Sequence, residues 1–236
     1  MELASAVVLV TGANRGLGHA LVEAFLQAGA AKVYAGARDP ATVTATGAIP
    51  VALDITSPDT ITRAAQACGD VNVVVNNAGI ARRTFSLKAD TLADMRAEMD
   101  TNYWGPLSMA QAFAPVLARN GGGALVNILS VLSWLSVPGT AGYSASKAAM
   151  WSMTNGLRND LAAQGTQVVG LHVGYMDTDM TAGVDAPKAS PAEVAQQVVD
   201  ALRNGRREIL ADALSQQVKA GLSAPEAVYL HPAGEA

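Results

Sequence analysis

A doubly wound α/β fold is what this sequence predicts: a parallel sheet of about seven strands with helices on both faces. Three observations carry it. Short, β-branched, almost wholly apolar runs recur along the chain, longer stretches of helical period separate them, and a glycine cluster stands where the first run gives way to the first helical stretch. Strands that are apolar throughout must be covered on both faces, and their alternation with helices implies parallel pairing through right-handed crossovers. Residues 1–236 read as one domain, without internal repeat or linker.

Taken in order, the strand candidates are AVVLV (6–10), AKVYAG (31–36), IPVALD (49–54), VNVVVNN (71–77), ALVNILS (124–130), VVGLHV (168–173) and REIL (207–210). After the first, Leu17, Leu21 and Phe25 fall at i, i+4, i+8 with Val22 and Leu26 beside them, an apolar stripe that covers a sheet. Long helices are expected over 91–119 and 142–165. Cys68, before Gly69 at a helix end, reads as a small buried residue. Trp104 and Trp151 read as packing residues, Trp134 as a pocket wall, and Met180 to about Ser190 as a small substrate flap.

Composition narrows the function. Half the residues are apolar and 15% charged, with 16 Lys and Arg against 20 Asp and Glu, so neither disorder nor nucleic-acid binding is indicated. A small molecule is the expected partner. The lone cysteine excludes an intrachain disulfide. The N-terminus has no basic leader and no run of about 18 apolar residues appears, so the expected location is the cytoplasm, with no membrane span. His19, His172 and His231 lack ligand spacing, and Asp177 with Asp179 lacks the rest of a calcium loop, so no metal is expected.

Chemistry first enters at TGANRGLG, which puts Gly12, Gly16 and Gly18 at the strand-to-helix turn. Glycines let the backbone reverse and let a pyrophosphate approach, and the helix start offers free N–H groups at a positive dipole end. A dinucleotide can sit at such a turn, although the spacing is G-x3-G-x-G rather than G-x-G-x-x-G and an ordinary tight turn has the same look. A second feature is YSASK, where Tyr143 and Lys147 at i, i+4 share a helix face and can project into one cleft. A lysine cation there would lower a phenol pKa from its usual value of about 10. Taken singly, each of these residues has a bland reading as helix surface, turn or cap.

The motifs together, TGANRGLG, then NNAG at 76–79, then Asn102, Ser130, Tyr143 and Lys147, resemble the short-chain dehydrogenase/reductase (SDR) family across nearly the whole chain. Ser130 lies 13 residues before Tyr143, as the family pattern asks, whereas Ser133 would shorten that spacing to ten. The resemblance implies an oxidoreductase in which Tyr143 is the general acid for carbonyl reduction and the base for alcohol oxidation. Ser130 would hydrogen-bond the substrate oxygen, Lys147 would bind the nicotinamide ribose, and Asn102 would hold a water leading from Lys147 to solvent. It further implies that Asp54 bonds the adenine and Thr178 the carboxamide, and that Gly12, Asn14, Arg15, Gly16, Leu17, Gly18, Ile55, Asn77, Ala78, Gly79 and Gly174 complete the cofactor contacts. Asn76 would brace the sheet centre. One departure stands out: Val173 replaces the family's proline before Gly174, so the backbone there loses a fixed φ.

For the cofactor, a ribose 2′-hydroxyl wants an acid at the end of the second strand and a 2′-phosphate wants cations. KVYAGARDP ends in Ala37 and Arg38, so Arg38 with Arg15 favours NADP(H); Asp39 keeps NAD(H) as the alternative. The expected activity is NADPH-dependent carbonyl reduction. Competing readings are a non-catalytic dinucleotide-binding regulator, an NAD-preferring alcohol dehydrogenase, and a sugar-nucleotide epimerase or dehydratase, the last opposed by the glycine spacing and the lack of length for a C-terminal substrate domain. By resemblance the two long helices pair subunits into a homodimer or homotetramer, and residues 216–232 would join that interface or cover the pocket.

Overall fold

The computed structural model describes residues 1–231. Seven strands form one parallel sheet: β1 (Val7–Thr11), β2 (Lys32–Ala37), β3 (Ile49–Ala52), β4 (Val73–Asn76), β5 (Ala124–Ile128), β6 (Gln167–His172) and β7 (Glu208–Leu210). Their order is β3-β2-β1-β4-β5-β6-β7, so the direction of winding reverses between β1 and β4. That reversal opens a crevice at the carboxyl ends of the strands, where ligands of such sheets bind. Each predicted strand is present.

The sheet is covered on both faces because neighbouring side chains along each strand point opposite ways. Val8, Val10, Val73, Val75 and Val126 enter one core layer with α1 (Gly16–Gln27) and α6 (Pro191–Arg203). Leu9, Val74 and Leu125 enter the other with α2 (Pro58–Ala67) and α4 (Gly105–Arg119). Leu21 and Phe25, from the predicted stripe, are fully buried. Truncating either to alanine costs about 2–5 kcal/mol. Cys68 closes α2 and is fully buried, as its position before Gly69 suggested.

The helix expected over 91–119 is continuous but not uniform. It runs from α3 (Leu92–Met99) through a π-helical stretch, Asp100–Trp104, into α4. Widening the coil at that point turns Asn102 inward, where it is fully buried. Pro106 contributes, since it has no N–H to return to the carbonyl four residues earlier. The helix expected over 142–165 is α5 (Ala141–Asp160); it stops sooner, residues 161–165 forming turns, with Gly165 at φ +75° leading into β6. The last helix, α7 (Ala213–Gly221), lies against the segment that follows β5. Pro232, the last residue of the predicted tail segment, lies outside the described residues.

Candidate active site

The turn after β1 is built by close approach. Gly12 has φ +63°, and a Cβ there would lie 2.9 Å from the Ala78 Cα. A Cβ on Gly18 would lie 2.0 Å from the Gly12 carbonyl oxygen and 2.6 Å from Asn77 Nδ2. Asn77 Nδ2 donates to the carbonyls of Thr11 (2.8 Å) and Gly12 (3.2 Å), while Thr11 Oγ1 accepts from the N–H groups of Asn77 and Ala78, both at 3.0 Å. The strand-end segments 11–12 and 76–79 are thereby stapled together. Arg15, the residue before α1, gives no side-chain cap, so the first-turn N–H groups of Gly16, Leu17 and Gly18 have no side-chain acceptor. A cradle free of side chains with uncapped N–H groups fits a pyrophosphate. Leu17 itself is buried, and Asn14 is half-buried in the turn.

Beside this turn, α5 brings Tyr143 and Lys147 up to Ser130, which follows β5. Lys147 Nζ donates to the Ile128 carbonyl at 2.7 Å and lies 5.7 Å from the centre of the Tyr143 ring. A Cβ on Gly79 would lie 3.1 Å from Asn102 Oδ1 and 3.8 Å from Lys147 Nζ, which places the NNAG segment between the two. Ser130 Oγ accepts from the Leu132 N–H at 3.1 Å and donates to the Val173 carbonyl at 3.4 Å. Ser133, the other serine of this segment, is engaged locally: its Oγ accepts from the Ser130 N–H and closes a capping box around it. Asn102, Ser130, Tyr143 and Lys147 are thus gathered at the carboxyl ends of the central strands β4 and β5.

Asn102 is committed more fully than expected. Its Oδ1 accepts from the Ile80 N–H (2.9 Å), and its Nδ2 donates to the Ile80 carbonyl (2.8 Å) and to Ser146 Oγ (3.0 Å). Asn76, as expected, braces the sheet centre: its Nδ2 donates to Asn127 Oδ1 at 2.9 Å, and Asn127 Nδ2 to Thr154 Oγ1 at 2.8 Å, tying β4, β5 and α5.

The electrostatics correct one expectation. In the chain by itself the Tyr143 phenol is not lowered but pushed up to about 12, chiefly by burial and further by the Glu98 carboxylate, with the Ser130 hydroxyl acting against them. Burial also brings the Lys147 ammonium down to about 8. In both groups desolvation of the charged form is the largest cause.

The outer contacts divide. Thr178 packs against the glycine turn: a Cβ on Gly16 would lie 3.3 Å from its Cγ2. Arg15, expected to be free for a phosphate, pairs with Asp179 at 3.1 Å, both side chains largely exposed. Arg38 is exposed. Asp39 caps the turn Pro40–Thr42, its Oδ1 accepting from the Ala41 N–H at 3.0 Å. Asp54 accepts from the N–H and Oγ1 of Thr56 at 2.9 and 2.7 Å, which, with Arg38 nearby, holds its carboxyl below the usual range. Ile55 is buried against Gly105, so its backbone alone is available to a ligand. Val173 replaces a proline without leaving the segment loose. Its carbonyl accepts from the Val131 N–H (3.0 Å), and Gly174 N–H donates to Asp212 Oδ2 (2.6 Å). Residues 182–190 carry no helix or strand, and Met176 pairs with Ala189 in an isolated bridge.

Of the tryptophans, Trp151 packs edge-on to Trp134 at 6.2 Å, but Trp104 is 52% exposed, against expectation, because the π stretch rotates it outward while turning Asn102 in. Trp134 stacks on His172 at 3.9 Å. His172 was passed over for want of ligand spacing, yet its Nδ1 lies 3.1 Å from the Ser130 carbonyl. A carbonyl only accepts, so Nδ1 carries the proton, and burial lowers the ring pKa to about 4. Glu98, Thr84 and Asp212 were also missed. For Glu98 a signal existed: it stands four residues before Asn102, on the same helix face.

A doubly wound sheet with a glycine-lined turn after its first strand belongs to the dinucleotide-binding α/β proteins. Within that class the chain belongs to the short-chain dehydrogenase family, whose model matches residues 6–189. These are oxidoreductases that use NAD(P). A short-chain dehydrogenase from Burkholderia cenocepacia, solved in complex with NADP, superposes with a TM-score of 0.91 at 40% identity, with 95% of each chain covered. A 1-deoxy-11-beta-hydroxypentalenate dehydrogenase of Streptomyces avermitilis is 34% identical over 92% of this chain and 88% of its own. A 3-oxoacyl-acyl-carrier-protein reductase of Vibrio cholerae is 30% identical over 98% and 94%.

Proposed function

We propose that the chain, one domain over residues 1–236, is an NADP(H)-dependent oxidoreductase that interconverts a small carbonyl and its alcohol, with Tyr143 as general acid and base. The observation that carries this reading is the meeting of Ser130, Tyr143 and Lys147 beside the glycine turn. The nicotinamide, when bound, supplies or accepts the hydride. This chain's residues handle the proton. As the carbonyl carbon becomes tetrahedral its oxygen gains the π pair; Ser130 donates a hydrogen bond to it, and Tyr143 Oη gives it a proton. A phenol raised to about 12 is fully protonated at neutral pH, which suits the donor role. Lys147, cationic below about 8, favours the phenolate left behind, and its proton is replenished from solvent. Since both side-chain groups of Asn102 are engaged, the water assigned to it would rest on its main-chain carbonyl, which Pro106 cannot serve.

The uncapped N–H groups of Gly16, Leu17 and Gly18 would hold the pyrophosphate, Thr178 the carboxamide, and Asp54, through its remaining acceptor capacity, the adenine. Arg38 and Arg15 support NADP(H), as does the binding of NADP by the Burkholderia relative. The engagement of Asp39 in its own turn weighs against the NAD(H) alternative. The groove between α4 and α5, lined by Tyr103, Leu107, Ala149, Met153 and Leu157, supports a homodimer or homotetramer, in a cytoplasmic enzyme. The test is a panel of carbonyls with NADPH and alcohols with NADP⁺, followed by nicotinamide absorbance, in wild type and Tyr143→Phe. Turnover that phenylalanine nearly abolishes, with NADPH affinity largely intact, is the expected result. Wild-type kcat in the variant would reject Tyr143 as proton donor.

A further inference from the structure

The first turn of α5 has no cap of its own. Thr140, the residue before it, makes no side-chain bond to the helix N–H groups. Those groups are met from elsewhere: the Ala141 N–H donates to the Thr84 carbonyl at 3.2 Å, and the Gly142 N–H donates to Thr84 Oγ1 at 2.9 Å. The Thr84 N–H in turn donates to the Gly139 carbonyl at 3.0 Å, and Thr84 and Thr140 form an isolated parallel bridge. Tyr143 is the next residue of that turn.

Thr84 is itself held by a carboxylate. Its Oγ1 lies 3.3 Å from Glu98 Oε2, while Glu98 Oε1 accepts the Arg82 N–H at 2.7 Å. Both Thr84 and Glu98 are fully buried, and Glu98 forms no ion pair among the described residues, the Arg82 guanidinium being spent on Asp94. The fit is close. A Cβ on Gly142 would lie 2.2 Å from Glu98 Oε2 and 2.9 Å from the Met95 Cα, so α5 rests on α3 at the residue next to Tyr143. Leaving an ionisable group buried and unpaired is costly, and here its negative charge also sits where it raises the phenol.

We propose that Thr84 and Glu98 are positioning residues for Tyr143: a cap supplied to α5 from the segment after β4, and a buried carboxylate that locks that cap and acts electrostatically on the phenol. This rests on the reading of Tyr143 as the proton donor. The charged groups around Glu98 are Arg82, Asp94 and the Tyr143 phenol. Replacing Glu98 by glutamine keeps its size and its acceptor oxygen but removes the charge. The phenolate then loses a repulsive neighbour, and the Tyr143 midpoint falls.

Two isosteric variants and one rescue test it in the intact chain, with the Cζ carbon-13 resonance of Tyr143, identified by its loss in Tyr143→Phe, as the readout. Glu98→Gln should lower the pH midpoint of that resonance. Thr84→Val should shift the resonance, speed amide exchange at 141–143 and cut turnover about tenfold on any panel carbonyl the wild type reduces. Thr84→Ser, which keeps the hydroxyl, should restore all three. If folded Glu98→Gln and Thr84→Val left the Tyr143 resonance and its midpoint unchanged, the positioning role is wrong, even with Tyr143→Phe inactive. An active Tyr143→Phe would instead sink the proton-donor reading and leave the cap to be judged by resonance and exchange alone.

Discussion

Lys147 Nζ donates to the Ile128 carbonyl at 2.7 Å, and no carboxylate pairs with it among the described residues. A buried ammonium with one neutral acceptor is destabilising. Its fall from 10.5 to about 8 corresponds to roughly 3 kcal/mol against the folded state. Packing alone gives no reason to bury a lysine there; the proposed role of cationic partner to Tyr143 does.

Replacing Lys147 by methionine should therefore abolish turnover yet raise Tm by a few degrees at pH 7, the lost bond to Ile128 offsetting part of the gain. The sign follows from linkage. The unfolded chain holds the lysine proton up to its ordinary value, whereas the folded chain releases it from about 8, so the penalty is complete below 8 and fades toward 10.5. The gap in Tm between variant and wild type should narrow over that window. Scanning calorimetry from pH 7 to 10 checks it, and a variant less stable than wild type at pH 7 contradicts the account.

Gly18 fails as alanine for want of room rather than of φ, since its φ is not positive. An added methyl would stand 2.0 Å from the Gly12 carbonyl oxygen and 2.6 Å from Asn77 Nδ2, backbone and staple that cannot both step aside. Gly18→Ala should cost about 1–3 kcal/mol by overpacking and weaken NADPH at least tenfold by displacing the turn. Gly29→Ala, at φ +83° with nothing within 4 Å, is the contrast: strained but distant, it should lose stability and keep NADPH affinity. Denaturant unfolding and fluorescence titration separate the two.

Met153 stands at the groove between α4 and α5, the face proposed to join subunits. A carboxylate there would be desolvated on assembly without a counterion, at a cost of several kcal/mol for a paired interface. Met153→Glu should shift the mass in light scattering to that of the monomer. A wild type that is already monomeric at every concentration tested removes the proposal.

What the sequence disclosed follows from what acts locally. The inner strands were legible because fully covered strands must be apolar at every position, as in Val73, Val74 and Val75, whereas the edge strand β3 is mostly exposed. The nearness of Tyr143 and Lys147 was legible because they sit a turn apart on one helix, and Ser130 was picked out by its family spacing to Tyr143. The contacts that tune them were not. Thr84 caps α5 across 58 residues, Asp212 reaches Gly174 across 38, and Nδ1 of His172 meets Ser130 across 42. No spacing rule links such pairs, and the pKa of Tyr143 depends on burial, which the order of residues does not state. The π stretch was equally hidden: Pro106 near a helix start reads as an ordinary first-turn proline, and only the packing shows Asn102 turned in and Trp104 turned out.

In the proposed NADP(H) reading, cofactor choice turns on Arg15, which bonds Asp179 at 3.1 Å across the glycine turn. Both partners are largely exposed, so the pair is weak, worth less than about 1 kcal/mol. A 2′-phosphate carries more charge than one carboxylate and offers more acceptors, so it should win Arg15 from Asp179, joined by Arg38 from the end of β2. Asp179→Asn should then tighten NADPH a fewfold, because the phosphate no longer competes with a carboxylate, and leave NADH nearly unchanged, because a ribose hydroxyl gains little from a freed guanidinium. Ala37→Asp with Arg38→Ala should do the opposite, placing an acid at the buried end of β2 and removing a cation, and swing kcat/KM toward NADH by at least tenfold. Steady-state kinetics with both cofactors in the three proteins decides it. A wild-type preference for NADH, or a double variant that keeps its preference for NADPH, would show that the two arginines do not select the cofactor.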